Sequence, residues 1–135
     1  MLCTSSGTAG SRWSVLVVDD DEGLVLMLRT LLSVDPRFSV AGEAGDGLEA
    51  VERARATGPD AIICDIEMPR MPGLEALPQL RSVCPDAAIV MFSGHDDVVA
   101  EALRLGADTL FPKSGDPIAL LDLLGELCAG HRARR

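Results

Sequence analysis

Val15-Leu16-Val17-Val18-Asp19-Asp20-Asp21 is the stretch on which the reading of this chain turns. Four apolar, mostly β-branched residues have the character of a short strand buried on both faces, and the run stops abruptly on three carboxylates. The same shape returns at Ala61-Ile62-Ile63-Cys64-Asp65, and a third apolar run, Ala88-Ile89-Val90-Met91-Phe92, stops on Ser93. Residues 38–41 and 109–111 complete a set of five candidate strands.

Between these runs the apolar spacing is helical. Leu24, Met27, Leu28, Leu31 and Leu32 recur at three and four residues, as do Leu48, Val51 and Ala54, and Val98 or Val99 with Ala102 and Leu105. Asp46 with Glu49 resembles a capping box, and Asp116-Pro117 places a cap and a first-turn proline before Leu120, Leu121, Leu123 and Leu124. Gly106 stands where a helix C-cap glycine is wanted. Pro78 conflicts with this pattern, since it falls inside the third helical stretch, 74–83, and must either kink that helix or delay its start. Strands alternating with helices predict a parallel sheet covered on both faces: a doubly wound, three-layer α/β domain.

A chain of 135 residues has room for one such domain, and 47% apolar content is enough for its core. The expected organisation is a flexible N-terminal segment over 1–13, the domain over 14–128, and a basic tail over 129–135. No apolar run is long enough for membrane insertion, and the first dozen residues lack the basic start and apolar centre of a secretory signal, so the expected location is cytoplasmic. The net charge of −9 repels phosphate backbones and argues against direct nucleic-acid binding. Cys3, Cys64, Cys84 and Cys128 form no C-x-x-C pair and read as reduced structural cysteines; His95 and His131 are isolated and make no zinc constellation.

In an open parallel sheet, ligands bind outside the carboxyl ends of the strands. Those ends deliver Asp19, Asp20 and Asp21 after strand one, Asp65 after strand three, Ser93 after strand four, and Lys113 just beyond strand five. Asp19, Asp20 and Asp65 would crowd negative charge that needs a cation between them, and hard oxygen ligands with room for water suit Mg²⁺. Such a metal would screen the approach of a phosphoryl group to one carboxylate acting as nucleophile, while Ser93 donates a hydrogen bond to it and Lys113 pairs with its charge. Lys113 is the only lysine beside eleven arginines. Plainer roles stand next to these. Carboxylates at 19–21 also suit a helix N-terminus, where Asp21 or Glu22 is the expected cap. A serine such as Ser93 is by itself more often a helix cap, His95 reads as a solvated loop residue, and Met68 and Met71 as loop packing.

Taken together, four segments resemble the receiver domains of two-component response regulators. Val15-Leu16-Val17-Val18-Asp19-Asp20 is similar to that family's first strand and acidic pair, and Asp65-Ile66-Glu67-Met68-Pro69-Arg70-Met71-Pro72-Gly73 to its phospho-acceptor segment, D-x-x-M-P-x-M-x-G. Met91-Phe92-Ser93-Gly94 resembles the switch-hydroxyl strand, and Gly106-Ala107-Asp108 leading to Lys113 the last-strand lysine segment. The resemblance covers roughly 14–128 and implies a flavodoxin-like sheet of order 2-1-3-4-5. It implies that Asp65 accepts a phosphoryl group from a sensor histidine kinase or phosphotransfer protein. Asp20, Asp65 and the backbone carbonyl of Glu67 would bind Mg²⁺, with Asp19 acting through a bound water. Ser93 would move to the phosphoryl group and Lys113 would pair with it.

The chain departs from the family in places. Leu110 stands where an aromatic switch residue is usual, and a leucine there can pack in or out. Ser114 follows the lysine where proline is common, while Pro112 precedes it. Glu67 and His95 flank the implied phosphoryl position and are expected to tune its hydrolysis. The leading function is thus a phosphorylation-switched signalling module that is not itself an enzyme, read by a downstream protein partner or by a homodimer formed on phosphorylation. The sequence ends soon after the fifth helix, which favours a stand-alone receiver; the receiver portion of a longer DNA-binding transcriptional regulator is the alternative. An aspartyl-phosphate phosphohydrolase, with Glu67 as a second acid, and an unphosphorylated docking module are the other classes.

Overall fold

The structure, a computed structural model that describes residues 12–94 and 97–133, alternates strand and helix throughout. In chain order the elements are β1 (Trp13–Val18), α1 (Glu22–Val34), β2 (Phe38–Ala44), α2 (Gly47–Thr57), β3 (Ala61–Asp65), α3 (Gly73–Val83), β4 (Ala88–Ser93), α4 (Val99–Leu105), β5 (Thr109–Pro112) and α5 (Pro117–Ala133). The sheet is parallel in the order β2-β1-β3-β4-β5, as the family resemblance implied.

Period-two alternation sends each strand's side chains into two separate cores. Leu16, Val18, Ile62, Cys64, Ile89 and Met91 meet Ala50, Val51, Ala54, Ala76, Leu77, Leu80 and Ala102 from α2, α3 and α4. Val15, Val17, Ile63, Val90 and Phe92 meet Val25, Leu28 and Leu32 of α1 and Leu120, Leu121 and Leu124 of α5 on the other face. The doubly wound reading follows directly: α1 and α5 cover one face, and the middle three helices cover the other. Cys64, Cys84 and Cys128 are buried in these layers.

The start and stop signals hold where they were read. Asp21 caps α1, accepting from the N–H groups of Gly23 and Leu24 at 3.0 and 3.2 Å. Asp46 caps α2 by accepting from Glu49 N–H at 2.9 Å, although the Glu49 carboxylate reaches back to Gly45 N–H (2.8 Å), one residue before the cap. Asp116 caps α5 through Ile118 N–H at 2.9 Å, and Gly106 ends α4 with φ of 122°, in the region that favours glycine. Pro78 lies inside α3, which starts ahead of it at Gly73, so the start is not delayed; the carbonyl four residues back, on Leu74, loses its helical donor.

Three boundaries differ from the sequence expectation by two residues or more. β2 continues past residue 41 to Ala44, because a bulge slips its register between Val15↔Val40 and Leu16↔Gly42 and lets Gly42-Glu43-Ala44 go on pairing. Trp13 belongs to β1, not to a flexible segment; residues 1–11 lie outside the described part. The basic tail expected over 129–135 is helical as far as Ala133, and His131 and Arg132 have partners at the amino end of the sheet: Asp108, just before β5, and the ring of Trp13 in β1, respectively. No helix among the described residues is long and apolar enough to cross a membrane.

Candidate phosphoryl-transfer site

Parallel register brings the chemistry-bearing residues to one rim. Val18 lies opposite Cys64, so Asp19 and Asp65 leave adjacent strands side by side; Asp65 lies opposite Phe92, placing Ser93 one step beyond, and Ser93 lies opposite Pro112, from which Lys113 follows. Pro112 has no N–H to donate, which an edge strand tolerates. Lys113 is nonetheless anchored, its own N–H donating to the Ser93 carbonyl at 2.8 Å.

Asp19 and Asp65 are buried, with Asp19 only 4% exposed, while Asp20 is exposed. One carboxylate oxygen from each of the three lies within 4.8 Å of the other two. Lys113 Nζ reaches over this group, 3.1 Å from Asp65 Oδ1 and 3.3 Å from Asp19 Oδ2. Asp19 Oδ1 accepts from Asp21 N–H at 2.9 Å. Asp19 Oδ2 is buried and makes no hydrogen bond, so its contact with Lys113 is a charge pair without good donor geometry. Burial pushes the Asp19 carboxyl above its usual range and the Asp65 charge adds to this, against the opposing pull of Asp21 N–H and Lys113. For Lys113, burial works to lower its pKa, but the two aspartates outweigh that and the net direction is upward, which keeps it cationic. One ammonium therefore faces three carboxylates. That imbalance, with an unsatisfied buried oxygen at its centre and hard oxygen donors around it, fits a small divalent cation. A cleft of about 750 Å³, lined by Asp19, Asp20, Glu43, Gly45 and Glu49 among others, opens beside the cluster.

Ser93 is buried at the end of β4. Glu67 is exposed in the loop after Asp65, between the buried Ile66 and Met68. Gly73 closes that loop with its N–H on the Ile66 carbonyl at 2.7 Å, and a Cβ there would collide with the Asp65 carbonyl oxygen. Leu110 packs inward, against the core that α4 shares, and Phe111 stacks on Phe92 with centroids 6.4 Å apart. His95 lies outside the described residues. Sequence reading missed Arg70, whose guanidinium grips Asp46, and Arg81 and His131, which converge on Asp108. Each pair is 23 to 27 residues apart, too far for any local pattern to announce it.

The response regulator receiver domain family matches residues 15–125, and the chain belongs to it. Its members are phospho-accepting switches of two-component systems, and receivers bind Mg²⁺ at an aspartate cluster of the kind present here. Among relatives, the nitrate/nitrite response regulator NarL of Escherichia coli is 38% identical over 120 residues, covering 87% of this chain but 56% of NarL. The chemotaxis protein CheY of Thermotoga maritima is 34% identical over 115 residues, 84% of this chain and 95% of CheY. The chain thus spans about half of one relative and nearly all of the other. Among solved structures, the receiver domain of a NarL from Mycobacterium tuberculosis superposes with a TM-score of 0.83 at 28% identity, covering 89% of this chain and 98% of that one. A chain from the CheX–CheY–BeF3–Mg complex of Borrelia burgdorferi does so with a TM-score of 0.76 at 30% identity, covering 84% and 87%.

Proposed function

We propose that Asp65 is the phospho-acceptor, taking its phosphoryl group from a phosphohistidine on a sensor histidine kinase or phosphotransfer protein in the cytoplasm. The observation that carries this reading is the Lys113 ammonium, 3.1 Å from Asp65 Oδ1, above a buried carboxylate pair that has no second cation among the described residues.

An Asp65 carboxylate oxygen attacks the phosphorus; the O–P bond forms as the N–P bond breaks, and the departing imidazole nitrogen keeps the electron pair. Asp65 is positioned for this by β3, which is buried along its whole length, and by the Gly73 closure behind it. Lys113 stands ready to pair with a phosphoryl oxygen. In this reading Ser93, held at the end of β4, moves to donate its hydroxyl to a second oxygen. Asp20, Asp65 and the backbone carbonyl of Glu67 would hold Mg²⁺, and Asp19 would act through a water bound to it. When bound, Mg²⁺ offsets the repulsion between an incoming phosphoryl dianion and these carboxylates. The Mg²⁺-bearing CheY complex is among the structures this chain resembles, which supports the assignment. The phosphorylated state is then read through protein contact, by a downstream partner or by a second copy.

The test is intact mass after incubation with acetyl phosphate, with and without Mg²⁺, on the wild type and Asp65→Asn. A single Mg²⁺-dependent phosphoryl adduct, absent in Asp65→Asn, is the expected result. An adduct that survives in Asp65→Asn, or none in the wild type, overturns the assignment.

A further inference from the structure

The loop that leaves Asp65 is tied to the start of α2 at two consecutive residues. The Met71 carbonyl accepts from Gly47 N–H at 2.9 Å. Beside it the Arg70 guanidinium holds Asp46 Oδ2, with Nε at 2.9 Å and Nη2 closing on the same oxygen. The other Asp46 oxygen is the one that caps α2 through Glu49 N–H. One carboxylate, its side chain only 8% exposed, therefore serves both the helix start and the loop.

The backbone at Arg70 sharpens the point. Its φ is +65°, in the left-handed region that glycine enters without a Cβ penalty, and Arg70 is the one non-glycine with positive φ among the described residues. A side chain at this place must contribute something that glycine cannot, and the structure shows what: the guanidinium clamp. Loop 66–72 is then pinned at three levels, by Gly73 N–H on the Ile66 carbonyl, by Gly47 N–H on the Met71 carbonyl, and by Arg70 on Asp46. The Glu67 backbone lies inside the pinned stretch. Arg70 itself does not reach the carboxylate cluster, since its side chain is turned to Asp46 and is 65% exposed.

We propose that Arg70 is a positioning residue for the acceptor site: clamped to Asp46, it fixes the loop that carries the Glu67 carbonyl and so sets the affinity for Mg²⁺ and the rate of phosphoryl uptake. This rests on the reading of Asp65 and Glu67 given above. Two measurements on the full chain keep the two apart. Mg²⁺ affinity is taken by titration calorimetry without any phosphodonor, and phosphoryl uptake from acetyl phosphate is followed by intact mass across Mg²⁺ concentrations. The variants are Arg70→Ala, Arg70→Gly, Asp46→Asn and the double variant Arg70→Ala/Asp46→Asn. Asp46→Asn keeps an oxygen for the α2 cap. All are assayed well below their thermal midpoints, which a merely structural role would move without touching the Mg²⁺ dependence.

Arg70→Ala and Arg70→Gly are expected to raise the half-saturating Mg²⁺ about five-fold, the factor that corresponds to losing about 1 kcal/mol. The double variant should match Arg70→Ala alone, because both changes remove one interaction. Wild-type Mg²⁺ dependence in Arg70→Gly would overturn the proposal, leaving backbone conformation as the only demand at this position. Additive losses in the double variant would overturn it too. If the wild type binds Mg²⁺ yet takes up no phosphoryl group, the acceptor assignment falls, while the clamp is still judged on Mg²⁺ affinity. A wild type that does not bind Mg²⁺ overturns both.

Discussion

Two aspartates at opposite ends of the sheet differ in how completely their charge is met. At the amino end of β5, Asp108 uses both its oxygens: Oδ1 lies 2.9 Å from His131 Nε2, and Oδ2 accepts from Ile89 N–H at 2.8 Å and from Arg81 at 3.1 Å. At the carboxyl rim, Asp19 shares a single lysine with Asp65 and leaves Oδ2 without a hydrogen bond. The first arrangement is complete and has nothing left to bind. The second is stable only because the fold around it is, and its unmet charge is what a cation and a phosphoryl group would answer. What marks the rim cluster as a candidate site is this electrostatic incompleteness, not the mere presence of acids.

Removing each carboxylate breaks the comparison most sharply. Asp108→Ala takes the acceptor from the Ile89 N–H and the carboxylate from Arg81, which keeps the Gly106 and Ala87 carbonyls, and should cost about 1–3 kcal/mol of unfolding free energy. Urea unfolding measures it, and a loss under 1 kcal/mol would put Asp108 in the same class as an ordinary surface acid. Asp19→Asn should do the reverse in the presence of a chelator: it relieves repulsion with Asp65 and is expected to be neutral or to stabilise by about 0.5–1 kcal/mol.

Mg²⁺ sharpens the contrast between these two. At ten times its dissociation constant, a ligand bound only by the folded state adds about 1.4 kcal/mol. The wild type and Asp108→Ala should both gain this increment on Mg²⁺ addition, each from its own baseline, whereas Asp20→Asn should lose most of it. Equal gains in all three proteins would place the ion somewhere other than the rim cluster.

How much of this the sequence disclosed follows from the range of each interaction. The alternation of strand and helix, the caps at Asp21, Asp46 and Asp116, and the strand-end carboxylates are written within a few residues of one another. Period and spacing therefore sufficed. Convergence of Asp19, Asp20, Asp65 and Lys113 needed one further step, the rule that parallel strands present their carboxyl ends to a common rim. The strand order itself came from family resemblance and not from any residue pattern. What stayed hidden was pairing between distant segments. Asp108–His131 and Asp46–Arg70 join residues that carry no mark of each other, and the bulge that extends β2 depends on its neighbour's register. The end of α5 shows the consequence: three arginines within four residues look like a solvated tail until His131 is seen docked on Asp108 and Arg132 on Trp13, 5.3 Å from the ring centroid.

The smallest effect is a pH dependence of opposite sign at the two ends. Near the start of β2, Asp35 is held below its ordinary value of 3.8 by hydrogen bonds from the Arg37 side chain, which outweigh its partial burial. A depressed pKa means the unfolded chain binds the proton more readily, so the stabilisation from Asp35 is present above pH 3.8 and is lost as pH falls through the lower, folded value. The unfolding free energy of the wild type should therefore exceed that of Asp35→Asn by a margin under about 1 kcal/mol at pH 7, closing below pH 3.8. Asp19 shifts upward, so in chelator its penalty is full at neutral pH and fades as pH falls toward 3.8; the Asp19→Asn advantage should shrink over the same range. Both differences approach zero in acid, one from the stabilising side and one from the destabilising side. Urea unfolding of the three proteins at pH 7, 5 and 3 reads both slopes, and margins of the same sign at pH 7 would remove the electrostatic distinction between the two ends of the sheet.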